Sequence, residues 1–311
     1  MKLSDAVTAY VAYKQSLGMR FTTEARTLKS FTKALGNVDM DQVFSDQVYI
    51  YLAGTGPVTR FLHRKLSALR GFYRFAISRE YATLSPLPIA APQQPQAFKP
   101  YIYSRDEIKR LIAATEGREH CNLSSSTCST LLLLLFGTGL RISEALHLNL
   151  ADIDVDESIL RIRDTKFYKT RLVPTGRDLT LILTRYLAER NQQSTNSPDS
   201  PFLLTRRGQR ILLSSAENAF KQIRERAEVH RDDNARYQPR LHDIRHSFAV
   251  MRLISWYREG ADVQKLLPQL ATYLGHTHLA ATQHYLTMTP ELLRQASLRF
   301  EQYAFGGDNH A

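Results

Sequence analysis

Apolar residues recur at helical spacing throughout the first 85 residues of the chain. Four segments have this spacing, namely Ser4–Leu17, Thr23–Leu35, Asp41–Leu52 and Val58–Ile77. Residues three and four positions apart lie on one face of an α-helix, so each segment can bury one side and expose the other. The pattern therefore predicts a helical domain at the N-terminal end of the chain.

The last of these segments separates its positive charges from its apolar residues. At about 100° per residue, six polar side chains fall within an arc of roughly 120°. They are Arg60, His63, Arg64, Ser67, Arg70 and Arg74. No Asp or Glu interrupts this basic face, which favours contact with a phosphate backbone over a merely solvated cationic surface.

Helical spacing resumes after residue 104 and is interrupted by one pair of strands. Ser104 and Glu107 have the spacing of a capping box in front of a helix at Arg105–Ala114. Further helices are predicted at 126–136, from 141, at 179–190, at 215–227, from 242 and at 291–305. Ile159–Arg163 and Arg171–Pro174 alternate in polarity around a polar turn, which predicts a β-hairpin. The fold class expected is mainly α with a small β-hairpin or sheet.

A proline-rich stretch separates the two regions. Five of the 12 prolines lie between Pro86 and Pro100, a composition typical of an extended, semi-rigid linker. We predict a helical domain at 1–85, a linker at 86–103, a second domain at 104–305 and a flexible tail at 306–311.

The charge of the chain indicates a polyanionic partner. The 41 Lys and Arg residues exceed the 30 Asp and Glu residues and leave a net charge of +11. The longest aliphatic and aromatic run, Leu131–Phe136, is far shorter than the roughly 20 residues that cross a bilayer, so a membrane partner is not expected. Two cysteines and no apolar signal segment favour a cytoplasmic protein without a disulfide framework or zinc cage.

Four short segments of the C-terminal region carry the candidate chemistry. They read GTGLRISEALHL at 137–148, TKFYKTRLVP at 165–174, HDIRH at 242–246 and LGHTHLAATQHY at 274–285. The polar residues that stand out in them are Arg141, Lys166, His242, Arg245, His276 and Tyr285. Cleaving a phosphodiester by a side-chain oxygen requires a nucleophile, donors for the non-bridging oxygens and a proton for the leaving oxygen. The set supplies each of these and predicts a phosphoryl-transfer site.

Each residue type suits one part of this reaction. Tyr285 is the candidate nucleophile, although a phenol ionises near pH 10 and needs cations or a base to attack. Arg141 and Arg245 stay charged and present paired donors to two phosphate oxygens. His242 and His276 can exchange protons near neutral pH. Together they predict a site in which tyrosine attacks a phosphate held by two guanidinium groups.

These segments resemble the tyrosine recombinase, or phage integrase, family, most strongly over Gly137–Tyr285. The resemblance implies a helical core-binding domain and a mixed α/β catalytic domain that clamp DNA, with Arg60, His63, Arg64, Arg70 and Arg74 on the duplex. It implies that the arginines and histidines cradle the phosphate, that Tyr285 forms a 3′-phosphotyrosine and that no metal or other cofactor takes part. Lys166 is the expected general acid for the leaving 5′ oxygen, with Lys169 on the same turn as the alternative.

The resemblance also implies partners and a biological role. It points to a site-specific recombinase that acts as a homo-tetramer on double-stranded DNA carrying specific recombination sites, with partner recombinases or accessory proteins as further partners. The 31-residue step from Arg245 to His276 favours integration or excision of a mobile element over chromosome-dimer resolution. His246 and His278 have no place in the pattern and are interpreted as structural or solvent-facing. A type IB topoisomerase and a catalytically silent DNA-binding accessory protein remain alternatives, and the last helix can pack in its own subunit or a neighbouring one.

Overall fold

The chain divides into two compact units, Met1–Phe98 and Lys99–Ala311. A computed structural model describes residues 1–54, 60–90, 99–117, 122–163, 170–192, 197–233, 235, 237–276, 278–287 and 290–305. The tail predicted at 306–311 lies outside these ranges, and the linker bounds at 86 and 103 stay predictions. Each unit is described below by itself.

The first unit is helical, as its apolar spacing predicts. Its helices are α1 (Leu3–Ser16), α2 (Thr22–Leu35), α3 (Ser45–Ala53) and α4 (Arg60–Ser78). The helix predicted at Asp41–Leu52 begins only at Ser45, because Met40–Gln42 form a separate 3-10 turn. The N–H of Phe44 donates to the side chain of Gln47 at 3.1 Å, and this bond caps the helix one residue before Ser45.

The apolar face of α4 packs into the core of this unit. Leu66, Leu69, Phe72 and Tyr73 are buried there together with Phe31 of α2. Burying aromatic and aliphatic side chains from two helices stabilises their packing by removing apolar surface from water. The opposite face of α4 is consequently turned away from the core.

The predicted basic face of α4 is largely open to solvent. Arg64, Arg70 and Arg74 are exposed, whereas His63 is half-buried. Its Nε2 atom is buried, and no described residue hydrogen bonds to it. The side chain of Arg60 lies outside the described residues. The exposed arginines are therefore available to an anionic partner.

The second unit contains nine helices and one small sheet among its described residues. The helices are α5 (Arg105–Ala113), α6 (Ser125–Thr138), α7 (Ile142–His147), α8 (Arg177–Asn191), α9 (Leu213–Arg226), α10 (Asp243–Arg258), α11 (Val263–Leu274), α12 (Ala280–Gln283) and α13 (Pro290–Phe305). The capping box predicted before α5 is present, because the N–H of Glu107 donates to Ser104 Oγ at 3.1 Å and the N–H of Ser104 donates to Glu107 at 2.7 Å.

The predicted hairpin is part of a three-stranded antiparallel sheet. Its strands are β1 (Ile153–Asp154), β2 (Ile159–Ile162) and β3 (Arg171–Pro174), in the order β1-β2-β3. Leu160 pairs with Val173, and both side chains are buried in the core. The two-residue strand β1 was not predicted, since it is too short to show an alternating pattern. The turn from β2 to β3, with Lys166 and Lys169, lies outside the described residues.

Helices α6 and α10 pack closely against each other. Most of the leucine run of α6 is buried, and Gly139, with a φ of +61°, caps the helix after Thr138. A Cβ atom at Gly139 would lie 2.4 Å from the ring of Phe248 on α10, so only glycine fits this close approach. The GTG segment thus allows the start of α7 to reach the side of α10.

The start of α13 packs within its own chain. Leu292 is fully buried in a cluster with Phe248 and Leu253 of α10, and Glu291 forms an ion pair with Arg258 at 2.9 Å. Within the described residues, no helix combines the length and the apolar composition that a membrane span requires.

Candidate active site

Arg141 lies at the N-terminal end of α7 and is held by two groups. Its Nη1 donates to Glu144 Oε1 at 2.8 Å, and its Nη2 donates to the carbonyl of Gly275 at 2.9 Å. The backbone N–H of Arg141 also donates to Glu144, at 3.0 Å. The side chain is one-third exposed, so its guanidinium is fixed in place and still open to a ligand.

Glu144 is a site residue that the motif analysis did not single out. Its side chain is 9% exposed and accepts two hydrogen bonds from Arg171, at 3.1 and 2.8 Å, besides those from Arg141. Burial alone would raise the pKa of this carboxyl, but the hydrogen bonds and charge of Arg171, and then those of Arg141, hold the pKa at about 2. Glu144 therefore remains ionised and orients both guanidinium groups.

Arg245 is the most deeply buried arginine of the site. It projects from α10, is 3% exposed, and donates to the carbonyls of Gly139 at 2.8 Å and Leu274 at 2.7 Å. Burial first, and then the charge of Arg141, lower the pKa of Arg245 to about 10. A guanidinium with that pKa is still charged at neutral pH. The sequence motifs of α7 and α10 thus converge on one pocket.

Tyr285 also lies in this pocket. It belongs to a 3-10 turn at His284–Thr287 that follows α12, and its side chain is 3% exposed. Burial raises the pKa of its phenol, while the nearby guanidinium of Arg245 and then that of Arg141 act in the opposite direction. The phenol is therefore protonated at neutral pH and lies against the cations predicted to hold the phosphate.

His276 is positioned between Tyr285 and the end of α11. Its ring is nearly parallel to that of Tyr285, with centroids 6.0 Å apart, and its Nδ1 lies 2.6 Å from Oγ1 of the buried Thr282. Burial, and then the charges of Arg245 and Arg141, lower the pKa of His276 to about 4. The ring is consequently neutral at physiological pH.

His242 and His246 also border the pocket that contains Tyr285. The His242 side chain is exposed, and its ring meets that of His246 edge to face with centroids 5.2 Å apart. His246 in turn lies against Tyr285 at 5.6 Å, and its Nδ1 is buried without a hydrogen-bond partner among the described residues. Partial burial and then the charge of Arg245 lower the pKa of His242, and burial and then His242 lower that of His246 to about 4.

Five of the six predicted catalytic residues therefore come together. The sixth, Lys166, and its alternative Lys169 lie outside the described residues. His278 and His284 are exposed. His246 was interpreted as structural or solvent-facing and proves to contact Tyr285; its position one turn after His242 was the only signal for this.

The charge of the pocket suits a phosphate. Arg141 and Arg171 bind the carboxylate of Glu144, and Arg245 lies close enough to interact with its charge. The excess of positive charge is partly buried, where an anion is attracted more strongly than in water. Paired guanidinium donors also match the geometry of phosphate oxygens.

Comparisons with known proteins identify the family of the chain. Residues 102–291 match the model of the phage integrase family. A Sinorhizobium fredii protein, provisionally named integrase/recombinase y4rB, is 34% identical over 96% of this chain and 96% of its own length. The tyrosine recombinase XerD of Bifidobacterium longum is 30% identical over 83% of this chain and 82% of its own length.

The fold is similar to that of solved integrases. The Tn1549 transposon integrase in complex with transposon right-end DNA has a TM-score of 0.73 at 14% identity, covering 98% of this chain and 100% of that chain. A lambda integrase dimer bound to a core site has a TM-score of 0.64 at 14% identity, covering 90% and 96%. The chain therefore belongs to the phage integrase family, the tyrosine recombinases, which break and rejoin DNA strands.

Proposed function

We propose that the protein is a site-specific DNA recombinase in which Tyr285 forms a 3′-phosphotyrosine link to the cleaved strand. The placement of Tyr285 carries this proposal, because its buried ring lies beside His276 and His246 and close to the charges of Arg245 and Arg141. Arg141 and His276 border the same pocket. A phosphate bound there would meet its nucleophile without a large movement of the protein.

In the proposed reaction, Oη of Tyr285 attacks the scissile phosphorus, the P–Oη bond forms and the bond from phosphorus to the 5′ oxygen breaks. Arg141 and Arg245 donate to the non-bridging oxygens and stabilise the charge that they carry in the transition state. The phosphotyrosine preserves the free energy of the broken bond. A 5′-hydroxyl from another strand can then attack it, release the phenol and reseal the backbone without a nucleotide cofactor.

Two protons must move in this reaction. The phenol of Tyr285 loses its proton as it attacks, and the neutral rings of His242 and His276 are the proposed acceptors, because burial and neighbouring arginines lower the pKa of both. The leaving 5′ oxygen gains a proton from Lys166, or from Lys169 on the same turn. The assignment of this lysine rests on the sequence alone.

Double-stranded DNA with specific recombination sites is the proposed substrate, and α4 is its proposed contact in the first unit. The exposed Arg64, Arg70 and Arg74 support this role, since they follow one face of a helix. We extend the proposal to Arg60 and His63, which the sequence places on the same face. These contacts would set the position of the duplex, and base contacts would select its sequence.

Assembly into a homo-tetramer that integrates or excises a mobile element completes the proposal. Leu293, Leu298 and Phe300 of α13 are between 46% and 67% exposed, although Leu292 of the same helix packs in its own chain. Exposed apolar residues on one helix favour contact with a neighbouring subunit. The 34% identity to an integrase/recombinase over 96% of this chain supports the mobile-element role.

Trapping of a covalent intermediate tests this function. A duplex from the ends of the element that carries the gene, nicked close to the cleavage site, loses the short fragment and cannot be resealed. The wild type should accumulate a protein–DNA adduct on this substrate, and Tyr285→Phe should form none, because it lacks the attacking oxygen.

Tyr257→Phe is the matched control. Tyr257 packs against the same apolar cluster as Tyr285, and its variant should form the adduct at the wild-type rate. A wild-type protein that binds this DNA and yields no adduct would overturn the catalytic proposal in favour of a silent accessory protein. An adduct that persists in Tyr285→Phe would assign the nucleophile to another residue.

A further inference from the structure

Arg171, the first residue of β3, has all its guanidinium nitrogens engaged within the protein. Nη1 and Nη2 donate to the two carboxylate oxygens of Glu144 at 3.1 and 2.8 Å, and Nε donates to the carbonyl of Tyr273 at 3.0 Å. The side chain is only 12% exposed. Both Nη atoms of Arg171 are paired with a carboxylate, whereas those of Arg245 donate to neutral carbonyls. Arg171 is therefore a poor candidate for direct phosphate contact, and the cost of its burial calls for another explanation.

The end of α11 connects Arg171 to the two phosphate-binding arginines. Three consecutive carbonyls accept one arginine each: Tyr273 from Arg171, Leu274 from Arg245 and Gly275 from Arg141. The last carbonyls of a helix lack partners within the helix and carry the negative end of its dipole. One helix end therefore anchors three cations side by side, immediately before His276.

The turn at Gly275 fits closely against Arg171. Gly275 has a φ of +68°, and a Cβ atom there would lie 2.8 Å from Nη1 of Arg171. The guanidinium thus packs on the peptide that leads into His276. Arg171 therefore contacts Glu144, which holds Arg141, and it also contacts the turn that leads into His276.

Glu144 connects Arg171 to Arg141. The carboxylate is shared between two guanidinium groups, with contacts of 2.8 Å to each. Without Arg171, its whole charge would be available to Arg141, which would draw that guanidinium away from the substrate and reduce its excess positive charge. The loss of Arg171 would therefore change both the position of Arg141 and the charge that Arg141 can offer to a phosphate.

We propose that Arg171 is a positioning residue for strand cleavage, acting through Glu144 on Arg141 without touching the phosphate. This inference rests on the proposed function. Its signature is a lower cleavage rate at unchanged DNA affinity. Arg171→Lys keeps the charge and one contact to Glu144, and so it should fold and bind DNA within about twofold of the wild type. Its single-turnover cleavage rate on the nicked duplex should fall by about 10- to 100-fold, the effect expected when a catalytic group is slightly displaced.

A double-mutant cycle separates positioning from an independent role. If Arg171 acts through Glu144, Arg171→Met should add little to the rate loss of Glu144→Gln, and the double variant should cleave about as fast as Glu144→Gln alone. The double variant also removes both buried charges, so its thermal stability should exceed that of Arg171→Met. Rate losses that multiply would show that Arg171 acts on the substrate directly and would overturn the inference.

Arg163→Met is the matched control on the same hairpin. Arg163 is about half-exposed and forms its ion pair with Asp152 instead of Glu144, so its variant should cleave within about twofold of the wild type. A rate for Arg171→Lys equal to that of the wild type would also overturn the inference, even if its thermal stability fell. Wild-type cleavage is measured in parallel. A wild type that does not cleave would overturn the proposed function, whereas a cleaving wild type with an equally fast Arg171→Lys would overturn this inference alone.

Discussion

The exposed arginines of α4 and the arginine cluster of the second unit present the same functional group in opposite settings. Arg64 and Arg74 come from one helix and extend into solvent. The cluster consists of Arg141 at the start of α7, Arg171 of β3 and Arg245 of α10. Each of the three donates to a carbonyl at the end of α11. One set is local and exposed, whereas the other is assembled over long distances in the chain and largely buried.

This difference predicts two kinds of contribution to recombination. Exposed cations attract a polyanion through interactions that salt screens, and each acts nearly independently of the others. Buried cations depend on their hydrogen-bond partners, since a change in one alters the charge and position of the next. The α4 arginines should therefore set affinity, and the cluster should set the rate of cleavage.

Glu144→Gln should have the largest effect of these changes. The buried arginine cluster needs a counter-charge, whereas the exposed arginines of α4 do not. Removing the carboxylate leaves Arg171 buried without its anion, which should lower the free energy of unfolding by about 3–5 kcal/mol at pH 7. The folded-state pKa of about 2 lies below the unfolded value, so this stabilisation is present above pH 4.5 and is lost as pH falls from about 4.5 through 2. Urea unfolding at several pH values measures the difference between wild type and variant.

Glu157→Gln provides the control for this experiment. Glu157 is exposed in the turn between β1 and β2, and its substitution should change the free energy of unfolding by less than about 0.5 kcal/mol. A Glu144→Gln protein as stable as this control would mean that the buried arginines tolerate one another without a carboxylate. The distinction between a coupled cluster and independent surface charges would then be lost.

Local patterns account for what the sequence predicted about α4 and the helical framework. Helical spacing identified the apolar face around Leu69 and Phe72, because a helix brings such residues together within a few turns. The hairpin was predictable as well, because its two strands are close in the chain and each alternates in polarity around a polar turn. The late start of α3 at Ser45 was missed, since side-chain capping by Gln47 overrides the apolar spacing there.

The internal connections of the active site depend on distant contacts and were only partly predictable. Family motifs identified Arg245 and Tyr285 as candidates, yet nothing in the chain indicated that Arg171 reaches Glu144 across 27 positions. The contact between the backbone N–H of Arg141 and Glu144, three residues later, is local. Its role in the site became apparent only when β3 and the end of α11 were in place.

Exchanging arginine for lysine at one position in each region tests the distinction directly. Arg245→Lys keeps the charge but loses the paired donors, and so its cleavage rate at saturating DNA should fall by about 100- to 1,000-fold. Arg74→Lys on α4 keeps an exposed charge and should cleave within about twofold of the wild type. Single-turnover kinetics on the nicked duplex measures both rates. A similar loss in the two variants would show that burial does not separate their roles.

Neutralising the exposed face should change affinity and leave the rate at saturation intact. Replacing Arg64, Arg70 and Arg74 by glutamine should weaken DNA binding roughly tenfold at moderate salt. It should also reduce the slope of log affinity against log salt by about 2 to 3, as expected when three phosphate contacts are lost. Fluorescence anisotropy at several salt concentrations gives both quantities.

A variant with the same net charge provides the control for α4. Lys33, Arg185 and Arg226 are exposed on α2, α8 and α9, and replacing them by glutamine removes three charges from scattered sites. This variant should lose less affinity and retain more of the salt slope than the α4 variant. Equal losses would mean that net charge alone attracts the duplex and that the α4 face has no special role.

His246→Phe should have the smallest effect, and that effect should appear only in acid. The ring of His246 packs on Tyr285 and its pKa is lowered to about 4, mainly by burial and then by His242. The unfolded chain therefore binds a proton near pH 6.5 that the folded protein excludes, so the wild type loses stability as pH falls from about 6.5 through 4. Phenylalanine keeps a packed ring without this proton uptake. The stability of the variant relative to the wild type should therefore increase as the pH is lowered from 7 to 5. Thermal unfolding at both pH values tests this prediction. His278 is exposed, and His278→Asn is the control that should show no such change. A parallel pH response in His246→Phe and the wild type would mean that His246 is charged in the folded pocket.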